Sequence, residues 1–454
     1  MCGVGVAWDS KVAGIRILSK VISDADEAIA LNYAYQENQI YSCSWGPPDD
    51  GRSMEAPGVL IKKAILKGIQ QGRQKKGSVF VFASGNGAAS EDNCNFDGYT
   101  NSIYSITVGA IDRTGAHPYY SESCSAQMVV TYSSGSGDSI HTTDVGTNQC
   151  YNGHGGTSAA APLAAGIFAL VLSARPELTW RDLQYLVLDT AVPVNEFDDD
   201  WKKTAIGKLY NHKYGYGKLD AYAIVSAAKT FKQVKPQAWF HSPVLEVNKA
   251  IPENSKGLKT VIEITKEDLE KANFARVEHI QVHMNAIHEK RGDMSVDLTS
   301  PEGIVSHIST VRQLDDSRDG YRDWDFMSVK HWGESGIGKW TVVIRDTEKN
   351  KLTGALVDWS ITLWGESIDA DKAELHPLPL APGEKPSNTI EVHPLPPPTP
   401  GAGSSAAEGS HSTPPIVTTD TPCPTDAATV SGNPGDSTSR PTKPSDVSDA
   451  TEGL

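Results

Sequence analysis

Asn152-Gly-His-Gly-Gly-Thr-Ser-Ala-Ala-Ala-Pro-Leu-Ala-Ala-Gly166 is the stretch on which the reading of this chain turns. Its glycines deliver Ser158 to the start of a helix that the apolar run Ile167-Phe-Ala-Leu-Val-Leu172 continues. Small residues on both sides leave the Ser158 hydroxyl open to a bulky reactant. Pro162 is tolerated near the first turn, where N–H groups have no intrahelical partner. Those free N–H groups and the positive end of the helix dipole favour negative charge beside Ser158. An attacked carbonyl develops its oxyanion in such a place. Two blander readings fit the same residues. Gly-Thr-Ser before an apolar run also describes an ordinary N-cap. Ala159 to Ala174 is almost wholly apolar, but it is shorter than the ~20 residues that cross a bilayer, so it reads as a core helix.

A second stretch points to chemistry. The apolar strand Ser78-Val-Phe-Val-Phe-Ala83 runs straight into Ser84-Gly-Asn-Gly87. A side-chain amide on a tight turn at a strand's C-terminal end is where open α/β sheets build sites. Asn86 is therefore a candidate second donor to an oxyanion at Ser158, a contribution worth ~10²–10³ in rate. The competing reading is a turn asparagine chosen for its backbone.

The surrounding pattern alternates. Strands are expected at 12–18, 40–45, 78–83 and 105–110, and helices at 24–35 (capped by Ser23 or Asp24) and 55–71. Further helices near 157–173, 179–189 and 219–229 complete a mostly parallel sheet flanked by helices. From about Trp239 the periodicity changes to two. Residues 260–265, 277–283, 294–298, 340–344 and 359–364 alternate or are β-rich, which suggests an all-β sandwich. Beyond about Ser367 the chain is rich in Pro, Ser, Thr, Gly and Asp and reads as a disordered linker. It contains no Asn-x-Ser/Thr glycosylation signal.

The chain has 454 residues, enough for two or three domains at ~150 each. Fifty-six acidic against 41 basic residues give a net charge of -15, which argues against nucleic acid as a partner and fits a cationic one. Six cysteines permit disulfides without proving an oxidising compartment. Cys43, inside an apolar strand, reads as a buried free thiol, and Cys423 as unpaired in the tail. No signal peptide and no run of ~18 uncharged apolar residues is visible. Arg291-Gly-Asp293 before a β-rich segment reads as a structural turn rather than an adhesion motif.

Ser84-Gly-Asn-Gly87 followed by Gly156-Thr-Ser-Ala-Ala-Ala-Pro162 resembles the subtilisin-type serine proteases. Tyr41-Ser-Cys-Ser-Trp-Gly-Pro-Pro-Asp-Asp-Gly51, Cys94-Asn-Phe-Asp-Gly-Tyr-Thr-Asn-Ser-Ile-Tyr104 and Leu178-Thr-Trp-Arg-Asp182 narrow the resemblance to the kexin/furin branch, the proprotein convertases, with the fungal kexins most similar. The resemblance covers residues 1–370 or so. It implies an α/β subtilisin-like parallel-sheet domain, in part, over 1–232, and a jelly-roll-like P (Homo B) β-sandwich over 233–368. A disordered linker would fill 369–454.

The resemblance also implies a function: a calcium-dependent serine endopeptidase that processes secretory precursors after Lys-Arg or Arg-Arg. Its place would be the Golgi or trans-Golgi lumen, anchored to the membrane when full length. Ser158 would be the nucleophile and Asn86 the oxyanion donor. Asp49 and Asp97 match the acidic S1 pocket, where a planar guanidinium should beat an ammonium. Glu27, Glu55 and Tyr99 match positions that shape the S4 region, Glu27 more securely than Glu55. Asp49, Asp92 and Glu122 match a Ca²⁺ site beneath S1, and oxygen-rich acids suit that ion. Cys94 would pair with Cys124, and Cys2 with Cys150.

The family supplies its triad in the order Asp, His, Ser. Before Ser158 this sequence offers only His117, His141 and His154, none within His-Gly-Thr. The resemblance places the base and its orienting aspartate before the segment equivalent to Cys2, so they are expected upstream of Met1, together with a signal and propeptide. A chain without them would lose most of its rate. The alternative is a non-catalytic homologue that uses the sandwich and acidic cleft as a binding scaffold.

Overall fold

The computed structural model describes residues 2–19, 21–253 and 256–380. Elements are numbered in chain order. The first half is built on a parallel sheet in the order β1-β2-β3-β4: β1 (Ile40–Cys43), β2 (Val79–Ala83), β3 (Ser105–Ile111) and β4 (Val129–Tyr132). Register pairs such as Phe82↔Thr107 and Ala110↔Thr131 hold it together. Every residue of β3 is buried, as expected of a parallel strand covered on both faces. The helices are α1 (Asp24–Leu31), α2 (Val59–Lys75), α3 (Thr157–Ala174), α4 (Trp180–Thr190) and α5 (Ala221–Ala228). Two short hairpins complete this half: β5 (Ile140–Thr143) with β6 (Cys150–His154), and β7 (Lys202–Lys203) with β8 (Leu209–Tyr210). Although α3 is long and apolar enough to span a membrane, Ala160, Ala164, Phe168 and Val171 are buried against the sheet core.

Local chemistry sets several boundaries. Ser23 caps α1 through a capping box with Asp26, and Thr179 caps α4 the same way with Asp182. The helix expected over 24–35 stops at Leu31, because Ala34 takes a positive φ of 46° that no helix accommodates. The one expected from Glu55 begins at Val59 instead, since Pro57 forces extended backbone before it. The strand expected at 40–45 ends at Cys43. The strand expected at 12–18 does not form. Val12 and Leu18 are 94% and 68% exposed, and no described strand pairs with that segment. An extended segment without a ladder has nothing to hold it.

The second half is two antiparallel sheets face to face. The first contains β9 (Gln237–His241), β10 (Leu245–Ala250), β12 (Phe274–His288), β15 (Tyr321–Ser328) and β17 (Gly354–Ser367). The second runs in the order β11 (Leu258–Ile264), β16 (Gly338–Asp346), β13 (Met294–Thr299), β14 (Val305–Ser309), with the short α6 (Lys266–Lys271) outside it. Alternate residues face inward: Trp340, Val342 and Ile344 of β16 meet Val282 and Met284 of β12 and Trp359 and Ile361 of β17 in one core.

Disulfides join Cys2 to Cys150 and Cys94 to Cys124, and Cys43 is a buried free thiol. Cys423 lies outside the described residues. Arg291-Gly-Asp293 forms a 3₁₀ turn with all three residues buried, so it cannot be presented to a partner. The segment after Ser367 is not featureless at its start. Asp369 caps a 3₁₀ turn, and His376 packs 4.7 Å from Trp364 and 4.9 Å from Trp239.

The two halves share a charged seam. Arg181 of α4 donates Nε–H to Glu278 Oε2 at 2.7 Å and its second guanidinium nitrogen to Oε1, while Tyr185 donates to the same Oε1 at 3.0 Å. In the other direction, Arg312 of the β-sandwich donates to Asp92 at 3.0 Å and to the Ser53 carbonyl at 2.7 Å, with its guanidinium 3.7 Å over the Phe96 ring.

Candidate active site

Ser158 is the second residue of α3, partly buried at the helix mouth. The turn before it needs glycine at 156, whose φ is +75° and whose Cβ, if present, would meet Asn86 Oδ1 at 2.9 Å. Pro162 is the sixth helical residue, deeper than the first turn expected for it. Lacking an N–H, it leaves the Ser158 carbonyl without its i+4 donor. The Ser44 hydroxyl fills that gap, donating to the Ser158 carbonyl at 3.1 Å. Thr131 and Ser133, at the end of β4, donate to the Ala160 and Gly156 carbonyls at 2.6 Å each. The Ser158 turn is thus bonded to the sheet on two sides.

Asn86 is held against this turn. Its Oδ1 accepts from the Thr157 N–H at 2.8 Å and from the Thr157 hydroxyl at 3.1 Å. Two donors on the oxygen fix the amide orientation. Nδ2 is left with a long 3.5 Å contact to Asp49. An amide anchored by its oxygen beside a helix N-terminus, with an N–H to spare, suits an oxyanion donor.

The floor is acidic. Asp49, Asp92, Asp97 and Glu122 line one small cavity with Pro47, Ser84 and Phe96. Glu122 is 3% exposed; burial, then Asp92 and Asp49, push its carboxyl well above the usual range. Burial raises Asp92 despite Arg312. Burial also pushes Asp97 up to about 7, although the Tyr99 and Thr100 N–H groups oppose it. The glycines of Ser84-Gly-Asn-Gly87 are demanded by these acids. A Cβ at Gly85 would meet Glu122 Oε1 at 2.3 Å, and one at Gly87 would meet Asp92 Cβ at 2.7 Å and Glu122 Oε1 at 2.9 Å. The Gly87 N–H donates to Glu122 at 3.0 Å, the Gly51 N–H to Asp92 at 2.9 Å, and the Asn86 N–H to Asp49 at 2.9 Å.

Glu27 and Tyr99 come together, the phenol donating to the Glu27 carboxylate, whose pKa burial raises. Glu55 instead presents an exposed side chain while its backbone bridges the Asp97 loop. Among the described residues, no histidine hydrogen-bonds the Ser158 hydroxyl: His117 packs on Tyr214, and His141 meets Asn152.

Sequence reasoning missed the clamp on the floor. Asn95 donates to the Met327 carbonyl at 3.0 Å and accepts the Met327 N–H at 2.9 Å, Asn93 donates to Thr310 at 3.0 Å, and Arg312 holds Asp92. No local pattern marks such residues, because their partners lie more than 200 positions away.

A serine at a helix mouth, with an asparagine anchored to the residue before it on a parallel sheet, fits a subtilase, and residues 1–217 match the subtilase family model. Residues 277–363 match the proprotein convertase P-domain, and the two in this order make the chain a member of the kexin/furin-type convertases. It is 52% identical to a kexin of Candida albicans over 83% of this chain and 42% of that protein. It is 52% identical to a kexin of Saccharomyces cerevisiae over 82% and 46%. Identity to the human proprotein convertase subtilisin/kexin type 7 is 44%, over 80% and 47%. The chain thus spans about half the length of these relatives. A crystallised serine protease of Aeromonas sobria shares the fold, with a TM-score of 0.66 over 76% of this chain and 74% of that one at 19% identity.

Proposed function

We propose that this chain carries the nucleophile half and substrate floor of a serine endopeptidase that cuts secretory precursors after paired basic residues. The observation that carries the reading is Asn86 anchored by its oxygen to Thr157, the residue before Ser158, beside four acids. Ser158 attacks the scissile carbonyl, and Asn86 Nδ2 with the N–H groups at the α3 mouth receives the oxyanion. Asp97 and Asp49 bind the guanidinium of an arginine beside the cut bond, and Glu27 with Tyr99 and Glu55 recognise a residue further along. The serine still needs a histidine base and an orienting aspartate, roles given to no residue here.

Buried acids crowded around a single guanidinium suit Ca²⁺, with Asp49, Asp92 and Glu122 as its holders. The ion would supply the positive charge that keeps these carboxylates together. The described disulfides fit a lumenal site of action in the secretory pathway, with a membrane anchor in the full-length protein.

The test uses a Lys-Arg peptide with the full-length protein and with this chain alone. Full-length cleavage abolished by Ser158→Ala supports the reading. Binding without cutting by the full-length protein favours the scaffold alternative. Ser158-dependent cleavage by this chain alone refutes the need for a base outside it.

A further inference from the structure

A second cluster lies away from the cleft, where the β7–β8 hairpin meets β14. We propose that Asp200, His212 and His307 bind a divalent transition metal of the zinc class across the seam between the two domains. One donor atom from each residue lies within 4.8 Å of the others. Asp200 and His212 come from the subtilase half and His307 from the sandwich. The two rings are 4.9 Å apart, tilted by 41°. His212 is 7% exposed, while the side chain of His307 is half-exposed and opens the cluster to solvent.

The hydrogen bond behind the His307 ring points the same way. His307 Nδ1 meets Asp297 at 2.6 Å, whereas Asp200, itself a proposed ligand, lies 2.9 Å from His212 Nδ1, the ring nitrogen that would share the metal with it. Arg345 in turn holds the other oxygen of Asp297 at 2.6 Å. A carboxylate behind an imidazole fixes its tautomer and leaves the Nε2 lone pair outward, which is how metal-binding histidines are supported. Among the described residues, His307 Nε2 has no hydrogen-bond partner. His212 Nε2 accepts the His307 N–H at 3.2 Å, a contact that orients the ring with Nδ1 toward Asp200. Two imidazoles with a carboxylate in reach select Zn²⁺, Ni²⁺ or Cu²⁺ over Ca²⁺, which prefers all-oxygen sites. Lys330, buried near the Asp200 carboxylate, opposes the added charge and weakens the affinity. Bound there, the metal ties residues 95 positions apart in different domains.

The experiment titrates metal-free, untagged chain with Zn²⁺ at constant Ca²⁺, reading stoichiometry by calorimetry and stability by thermal unfolding. One equivalent should bind and raise Tm. His307→Asn, a change at a half-exposed side chain, should abolish both effects, with the Tm rise read against the variant's own metal-free Tm. Asp297→Asn should weaken binding by ~10–100-fold. Equal affinity in the native chain and His307→Asn would overturn the site, as would no binding at millimolar Zn²⁺.

Discussion

Two buried charge clusters in this molecule are built on opposite terms. At the seam, Arg181 and Glu278 match one cation to one anion, and Tyr185 and the Lys235 carbonyl take up further hydrogen-bonding capacity. On the floor of the cleft, Asp49, Asp92, Asp97 and Glu122 share one guanidinium, that of Arg312, which reaches only Asp92 of the four and is itself shared with Asp315. Burial raises the carboxyls of Asp92, Asp97 and Glu122, whereas Arg181 is held charged by its partner. A balanced cluster is what structure alone requires. An unbalanced one stores a demand for positive charge, and the proposed occupants, a substrate arginine and Ca²⁺, both supply it.

The contrast can be broken from the seam first. Glu278→Ala leaves Arg181 buried without its partner and should cost about 3–5 kcal/mol of stability, read from denaturant unfolding. A loss below about 1 kcal/mol would show that the pair is screened like a surface bridge. From the floor, Asp97→Asn should hold or raise Tm, because it removes a charge that burial disfavours. In the full-length protein the same change should lower kcat/KM on arginine peptides, a loss of about 2–5 kcal/mol in transition-state binding. A drop in Tm with unchanged kinetics would reverse its assignment from recognition to structure.

Gly87→Ala pushes a methyl against Asp92 and Glu122 and should cost about 1–3 kcal/mol, measured by thermal unfolding with and without Ca²⁺. A neutral effect would mean that the acids can spread at will. The smallest effect comes from His279, fully buried beside Trp332 and held down to about 3 by burial and Arg181. Its folded pKa lies below the unfolded value near 6.5, so the unfolded chain binds more protons between the two. Stability is therefore present above about 6.5 and falls as the pH drops, by about 1 kcal/mol between pH 7 and 5.5. His279→Leu should flatten that part of the pH profile of Tm.

Much of the architecture was legible because it rests on short-range rules. Period-two alternation marked β11, β13 and β16, and the Gly-Thr-Ser turn into an apolar run marked α3. The failures share one cause. Residues 12–18 look like a strand by composition, yet a strand exists only with a partner. Pro162 was placed a turn too early because its cost is met by Ser44, which is 114 positions from Ser158. The tail was expected to separate from the body at 369, but His376 finds two tryptophans of the sandwich.

The amino-acid order by itself determined where the proposed nucleophile and amide donor stand, since helix starts, tight turns and small flanking residues act within a few positions. Which acids are neutralised, and by what, was decided by tertiary structure alone. Arg181 and Glu278 are 97 residues apart, and Arg312 and Asp92 are 220 apart. Charges act through space, and only folding brings these together.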